Sequence, residues 1–187
     1  EVFKVDNGDG SSVPSFTSGF PVDFGMLRDV GADGFHTSSR LISGKTLDTN
    51  STAAEGSNSS YRFDYQNGWF GSALPSNYYC WMWKRAPNYF DVVAYTGNNT
   101  AGNTAKHNLG VAPEMMWIKK RSGAGNWVVY HKDLNNSSPT SPNDFYLRLD
   151  SSTLEASDNN YFWNNTAPTA DTITFGINAN VNQTSQT

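Results

Sequence analysis

The chain has 187 residues, a formal net charge of −4 and an isoelectric point near 5.2, and only 16% of its residues are charged. This acidic balance, with basic residues scattered along the chain, excludes the large cationic surface of a nucleic-acid-binding protein. A content of 37% hydrophobic and 14% aromatic residues excludes an intrinsically disordered chain, and no apolar stretch approaches the roughly 20 residues of a membrane-spanning helix, so we expect a folded protein without membrane insertion.

Strand signals run through the whole chain, whereas helix signals are nearly absent. Runs of aromatic and β-branched residues are separated by turn sequences such as Asn67-Gly68, which suit tight hairpin connections. In the first half the predicted strands are Val2–Val5, Phe24–Arg28, Gly34–Arg40, Lys45–Thr49, Tyr61–Tyr65, Trp69–Gly71 and Tyr78–Lys84. In the second half they are Phe90–Tyr95, Met115–Lys120, Trp127–Lys132, Phe145–Leu149, Tyr161–Trp163 and Thr172–Gly176.

The side-chain pattern of three strands predicts how each is placed in its sheet. Phe145–Leu149 alternates, which predicts one buried and one solvated face, with Tyr146 and Arg148 on the solvated side. Trp127–Lys132 alternates in the same way. Tyr78–Trp83 does not alternate, so we expect both of its faces to be covered, either in a central strand of its sheet or in a strand buried between the modules.

Sequence landmarks of the first half return in the second half. Gly19–Arg28 returns as Gly110–Lys119, each with a glycine start, a nearby proline, an acid, an apolar run and a basic end. Trp69–Gly71 returns as Thr174–Gly176. Shared landmarks with few identities indicate a duplicated scaffold rather than a duplicated active site.

The predicted fold class is therefore all-β, an antiparallel β-sandwich of the jelly-roll or lectin-like kind made of two related modules or half-sandwiches. The boundary is predicted near Arg85–Asn88, with the first module at residues 1–86 and the second at residues 87–187. The second module reaches Asn182–Thr187 without a counterpart of Tyr78–Lys84. Either its closing strand lies beyond residue 187 or another segment takes that place, because otherwise the sheet has an open edge.

Two pairs of acidic residues are candidates for glycoside hydrolysis. Such a reaction needs two carboxylates roughly 5 to 9.5 Å apart. Asp48 with Glu55 and Asp150 with Glu155 occupy similar places in the two halves. They also fit solvated strand ends and turns, which is the interpretation that we prefer, so no catalytic residue is predicted.

Candidate metal ligands have simpler interpretations. His36, His107 and His131 lack the spacing of a metal site. Asp6–Gly10 offers alternating oxygen ligands for Ca²⁺ but lacks the later glutamate of such a loop, so we interpret it as a turn. Cys80 is the only cysteine, which excludes an internal disulfide. We therefore predict no metal and no cofactor.

Two further patterns admit a functional and a structural interpretation. Lys119-Lys120-Arg121 is either a phosphate-binding cluster or the solvated end of a strand, which we prefer. Glycosylation sequons are frequent but are expected by chance in a chain so rich in Asn, Ser and Thr. They begin at Asn50, Asn58, Asn98, Asn135, Asn136, Asn164 and Asn182.

Aromatic residues beside amides give the most interesting functional signal. Sugars bind to exposed rings flanked by side chains that hydrogen-bond hydroxyl groups. The candidate glycan-binding residues are Trp127, Tyr130, Tyr161, Trp163, Asn164 and Asn165. The alternative, which we prefer, is that these rings fill a sandwich core or a subunit interface.

These landmarks resemble a β-sandwich repeat found in virion-associated proteins of tailed bacteriophages, notably marine ones. In the second half the resemblance rests on Phe90–Asn98, His107–Glu114, Trp117–Arg121, Asn126–His131 and Trp163–Thr169. In the first half it rests on Gly19–Asp23, Thr49–Glu55 and Trp81–Lys84, the last similar to the family's closing strand.

The resemblance implies a structural, non-enzymatic fibre, spike or decoration module on the surface of the virion. A carbohydrate-binding receptor-recognition module is the second hypothesis, with a host-surface glycan as ligand, and a glycan-cleaving depolymerase is the third. Other virion proteins are the expected partners. An open sheet edge and the apolar strand Tyr78–Trp83 would be buried by contact with further copies of the chain. We therefore also expect a symmetric homo-oligomer, with a trimer favoured.

Overall fold

In the computed structural model the chain forms antiparallel β-sheets that pack against each other, as the predicted all-β sandwich class requires. The structure describes residues 1–32, 34–134, 145–152 and 160–184, and the backbone of 156–157. The chain divides into two compact units. Unit 1 comprises Glu1–Thr49 and Glu55–Val92, and unit 2 comprises Asn50–Ala54 and Val93–Thr187.

Unit 1 contains a six-stranded antiparallel sheet and a two-stranded pair. The order in the larger sheet is β1-β8-β3-β4-β5-β6, and β2 pairs with β7. A 3-10 turn at Arg40–Ile42 links β4 to β5. The strands are β1 Phe3–Asn7, β2 Phe16–Thr17, β3 Phe24–Asp29, β4 Phe35–Ser39, β5 Lys45–Asp48, β6 Gly56–Ser57, β7 Gly68–Trp69 and β8 Tyr78–Trp83.

Unit 2 contains a four-stranded antiparallel sheet in the order β10-β11-β12-β13, and β14 pairs with β9. A single helical turn, α1, spans Ala179–Asn182 and is capped by the side chain of Asn178, which accepts a bond from the Asn180 amide. The strands are β9 Asn103–Lys106, β10 Met115–Lys119, β11 Trp127–His131, β12 Phe145–Arg148, β13 Ala156–Ser157 and β14 Thr172–Phe175.

Each unit buries one face of its main sheet under the two-stranded pair. In unit 1, Trp69 of β7 is fully buried above Gly25 of β3, where a Cβ atom would lie 2.4 Å from the indole ring. In unit 2, Phe175 of β14 stacks on Tyr95 with ring centroids 4.4 Å apart. The core of unit 1 consists of Phe16, Phe20, Val22, Leu27, Tyr61, Phe63, Trp69, Phe70, Cys80 and Met82. That of unit 2 consists of Ala105, Met116, Ile118, Val128, Tyr130, Phe162, Trp163, Phe175 and Val181.

The two units connect their strands in the same order. The successive antiparallel strands β3–β6 are matched by β10–β13, and the pair β2–β7 is matched by β9–β14. In both units the strand that opens the run follows a glycine with positive φ, Gly19 at 81° and Gly110 at 75°. The internal duplication itself stays a prediction.

Three predicted strands are not strands. Tyr61–Tyr65 contributes buried rings, but its backbone makes turn contacts such as the bond from the Gly44 amide to the Tyr61 carbonyl. Phe90–Tyr95 forms one bridge only, between Phe90 and Ala86. In Tyr161–Trp163 the first two carbonyls accept bonds from the turn amides of Asn178 and Gly176. Aromatic content signals burial, but pairing in a ladder depends on distant partners.

The central position predicted for β8 is confirmed, whereas the predicted exposure is wrong for one face in each of β8, β12 and β11. β8 is central, between β1 and β3. Its second face is covered only in part, because Tyr79 is exposed and Trp81 and Trp83 are half-buried. In β12 the predicted solvated residue Tyr146 packs against the core, with its ring 4.2 Å from that of Phe162. Four consecutive residues of β11, Trp127–Tyr130, are buried, so that strand has no solvated face over this length.

The single thiol lies inside the core of unit 1. Cys80 is fully buried between Leu27 and Asp6 in the sheet register, and this burial raises its pKa well above the usual value. A neutral, enclosed thiol acts as a small apolar side chain rather than as a nucleophile.

Candidate functional site

Three of the six predicted glycan-binding residues are buried in unit 2. The rings of Tyr130 and Trp163 meet edge to face at 5.7 Å within the core. The Trp163 indole donates a 2.9 Å hydrogen bond to the Phe145 carbonyl, which satisfies its polar atom. Trp127 is also buried. In this conformation these rings are not available to stack on a sugar, which agrees with the core-filling interpretation.

The other three predicted residues lie at the surface of a turn. Tyr161 is 51% exposed, Asn165 is exposed and Asn164 is half-buried. Both asparagines adopt positive φ angles, 52° and 49°, a conformation that asparagine tolerates better than most residues. The structure thus brings one exposed ring and two amides together, and their glycan-binding role stays a prediction.

Two of the candidate catalytic acids, Asp48 and Asp150, make contacts with neighbouring segments of the chain. Asp48 contacts His36 Nδ1 at 2.5 Å across the β4–β5 pair. Asp150 accepts bonds from the Asn126 side chain at 2.9 Å and from the Trp127 amide at 3.1 Å. Glu155, the partner proposed for Asp150, lies outside the described residues. These contacts hold strand ends and turns in place.

The histidines also have structural partners. His107 is buried, and its ring accepts a 3.3 Å bond from the Leu109 amide and lies 3.2 Å from the Thr169 carbonyl. His131 accepts a 3.2 Å bond from the Asp133 amide. Among the residues that the structure describes, no three His, Cys, Asp or Glu side chains are grouped to hold a metal ion.

Both carboxylates of the acidic segment Asp6–Gly10 accept hydrogen bonds from backbone amides. Asp9 accepts bonds from the Ser12 hydroxyl and from the amides of Ser12 and Ser11, and these bonds, that from the hydroxyl most of all, lower the pKa of Asp9. Asp6 accepts a 2.7 Å bond from the Thr17 amide.

The basic cluster at the end of β10 lines a cleft of about 200 Å³ in unit 2. Lys119 donates to the carbonyls of Gly125 and Thr52, and burial lowers its pKa. Lys120 reaches the Gln183 side chain at 3.2 Å. The opposite walls are the extended segment Val93–Gly97 and the helical turn α1.

A surface that the sequence analysis predicted only in part, at Tyr78–Trp83, lies on the side of the main sheet of unit 1 that faces away from Trp69. We call it the aromatic face. Rings from four strands contact one another there, with Trp83 centred 5.0 Å from Phe3 and 5.6 Å from Phe24. The uninterrupted apolar run of β8 was the signal for it. The aromatic face comprises Phe3, Val5, Phe24, Met26, Arg28, Phe35, Tyr79, Trp81 and Trp83.

A family model described as a domain of unknown function, DUF7483, matches residues 4–187. The chain belongs to the DUF7483 family. No curated protein and no solved structure matches it. In the described residues of this DUF7483 chain, no helix is long and apolar enough to cross a membrane. Because the family description names no activity, function has to be inferred from the surfaces described above.

Proposed function

We propose that this DUF7483 domain is a structural, non-enzymatic module on the surface of a tailed-bacteriophage particle, in a fibre, spike or decoration protein. The observation that supports it best is the aromatic face. Phe90 packs on Phe24 and Trp83, whereas Val5 and Tyr79 are exposed and the other members are half-buried. Because large contiguous apolar patches on soluble proteins mark interaction sites, this partly exposed face favours a protein–protein interface. The phage setting rests on the sequence resemblance of the second half.

We propose that the aromatic face packs against the aromatic faces of further copies of the chain, in a symmetric oligomer with a trimer favoured. The face has one charged member, Arg28, and its guanidinium already lies 4.7 Å over the ring of Phe35. Identical faces therefore bring only one charged side chain per copy into the contact. Closed symmetry also buries such a surface in every copy at once.

Two acidic substitutions on the aromatic face are expected to separate the copies. Val5 and Tyr79 are 42% and 41% exposed, so Val5→Asp with Tyr79→Asp puts charge into the interface without entering the core. Light scattering should give about three times the chain mass of 20.6 kDa for the parent chain and about 20.6 kDa for the double variant. Val13→Asp is the matched control, since Val13 is 54% exposed and lies in the loop before β2, whose partner strand β7 covers the opposite side of the sheet at Gly25.

Self-association of the chain and its presence on phage particles are tested by separate experiments. A monomeric parent chain at micromolar concentration would contradict the self-association. Antibodies raised against the purified chain should label intact phage particles in electron micrographs. Particles that carry the gene but stay unlabelled, and whose proteins lack its peptides by mass spectrometry, would contradict the virion assignment.

Carbohydrate recognition is the second candidate, and the exposed ring of Tyr161 beside Asn164 and Asn165 favours it. If the turn binds glycans, Tyr161→Ala should lower binding on a glycan array by at least about tenfold, since stacking on a ring supplies much of the affinity. Tyr89→Ala serves as the control, because Tyr89 is equally exposed but belongs to unit 1. Release of reducing sugar from a bound glycan would instead favour the third candidate, a depolymerase.

A further inference from the structure

The buried ring of His107 joins two turns of unit 2. His107 directly follows β9 and is 6% exposed. Its Nδ1 atom accepts a 3.3 Å bond from the Leu109 amide, in the turn that leads towards β10. Its Nε2 atom lies 3.2 Å from the Thr169 carbonyl oxygen, in the turn that leads into β14. One imidazole thus connects backbone groups of two segments that are far apart in the chain.

The two backbone partners determine where the ring carries its hydrogen. A backbone N–H can only donate, so Nδ1 has to be unprotonated in order to accept from Leu109. A carbonyl oxygen can only accept, so Nε2 has to carry the hydrogen that faces Thr169. His107 is therefore neutral in this fold, in the tautomer with its hydrogen on Nε2.

A second proton on the ring is incompatible with this arrangement. It would place an N–H at Nδ1 against the N–H of Leu109, so that a hydrogen bond is replaced by a contact between two donors. Because His107 is buried, water does not take the place of the lost partner while the turns stay where they are. A charged ring at this position therefore requires one of the two turns to move away from it.

The ring lies at one end of the strand pair β9–β14. The backbone amide of His107 donates a 3.0 Å bond to the Asp171 carbonyl and so extends this ladder by one residue. Ala105 of β9 and Phe175 of β14 belong to the core of unit 2. Movement of the turns at this end would therefore shorten the ladder that covers the core.

Two charged residues adjoin the ring, one in each segment that holds it. Lys106 precedes His107 in β9, and Asp171 is the ladder partner of His107 before β14. Both are exposed, and within the described residues neither side chain bonds to the ring. The rings of His36 and His131, by contrast, lie 2.5 and 3.8 Å from carboxylate oxygens. The described part of the chain thus gives His107 no ion pair that would hold its charged form in place.

We propose that His107 is an acid-sensitive staple of unit 2, in which proton uptake by the ring releases the turn His107–Gly110 from the turn Thr169–Thr172. An imidazole in water takes up its second proton near pH 6.5. The closed arrangement holds only the neutral ring, whereas the released turn lets water solvate the charged ring, so a falling pH favours release. The stabilisation by the staple is present above about pH 6.5 and is lost below it. The staple operates within unit 2, whether or not the protein belongs to a phage particle.

Nitrogen-15 NMR and amide hydrogen exchange of the full chain test the staple. At pH 7.5 the labelled ring of His107 should be neutral, with its hydrogen on Nε2. The protection factor of the Leu109 amide, corrected for intrinsic exchange, should fall by about thirtyfold between pH 7.5 and pH 5.0, because release takes up one proton over this interval. The amide of Val128 in the central part of β11 should change by less than about threefold, since the release is local.

His107→Asn separates proton uptake from the loss of the hydrogen bond. The side-chain oxygen of asparagine accepts from the amide two residues later in an Asx turn, and it does not titrate. Protection of Leu109 in this variant should therefore change by less than about threefold between the two pH values. His131→Asn is the matched control, since His131 accepts a similar 3.2 Å bond from the Asp133 amide, but its side chain is 34% exposed. This control should keep the full loss at Leu109.

Four results would each overturn the staple. They are a hydrogen on Nδ1 of His107 at pH 7.5, equal protection of Leu109 at both pH values, the full loss of protection in His107→Asn, and an equal loss at Val128, which would mean that the whole unit unfolds. If His107→Asn does not fold, the tautomer and the protection factors of the parent chain still decide the outcome.

Discussion

Replacing Trp69 by alanine is expected to lower the free energy of unfolding of unit 1 by about 3–5 kcal/mol, the range for truncating a fully buried tryptophan. Trp69 has no solvent exposure, and its ring lies within 5.3 to 6.3 Å of the rings of Phe16, Tyr61, Phe63 and Phe70. Truncation would leave a cavity between the six-stranded sheet and the β2–β7 pair. Denaturant unfolding followed by amide exchange in unit 1 measures the loss.

Gly25 provides a coupled control for this prediction. A Cβ atom at Gly25 would overlap the Trp69 ring, so Gly25→Ala should cost about 1–3 kcal/mol in the parent chain. In the Trp69→Ala background the same change should cost little, because the methyl group enters the cavity. A double-mutant cycle measures this coupling, and strictly additive effects would contradict the contact.

Trp69→Phe refines the same argument. The indole N–H of Trp69 has no hydrogen-bond partner among the described residues, although it is buried. An unpaired buried donor costs about 1–3 kcal/mol, so its removal offsets part of the packing that phenylalanine loses. We therefore expect Trp69→Phe to be clearly milder than Trp69→Ala. Equal losses would mean that the N–H is bonded in solution.

Replacing Asn182 by alanine is expected to lower the stability of unit 2 by about 3–5 kcal/mol, because several buried polar groups would lose their partner together. Asn182 is 1% exposed. Its amide nitrogen donates to the carbonyls of Thr100 and Gly176 at 2.8 and 2.6 Å. Its side-chain oxygen accepts from the Asn98 amide and the Asn103 side chain at 3.0 and 2.8 Å.

The helical turn α1 also offers the control for Asn182. Asn180 is half-buried, and its side chain makes no hydrogen bond within the described part of the chain. Asn180→Ala should therefore change stability by less than about 1 kcal/mol. Since the chain has two units, exchange at amides of unit 2 is the appropriate probe, and equal effects at both positions would contradict the role of Asn182.

The sequence alone was enough to locate most long strands and the all-β class. Alternation and aromatic content marked β3, β4, β8, β10 and β11 to within about two residues, since these signals arise within each segment. The apolar run of β8 also predicted its central place correctly. The short strands β2, β6 and β13 and the polar strand β9 were missed, because two residues or a run of Asn, Thr, Ala and Lys carry no such signal.

Only the tertiary structure decided which strand faces are buried and which polar side chains make buried hydrogen bonds. In the sequence Asn182 is recognisable only as part of a glycosylation sequon. In the structure its buried side chain hydrogen-bonds residues about 80 positions away in the chain. Tyr146 faces the core because the register with β11 places Arg148 opposite Val128, and a shift of one residue would reverse every side chain. Trp163 was a candidate glycan-binding residue because of the residues beside it in the sequence, whereas in the structure its side chain is buried. Local pattern sets the conformation of a segment, whereas long-range pairing sets which of its atoms meet solvent or a partner.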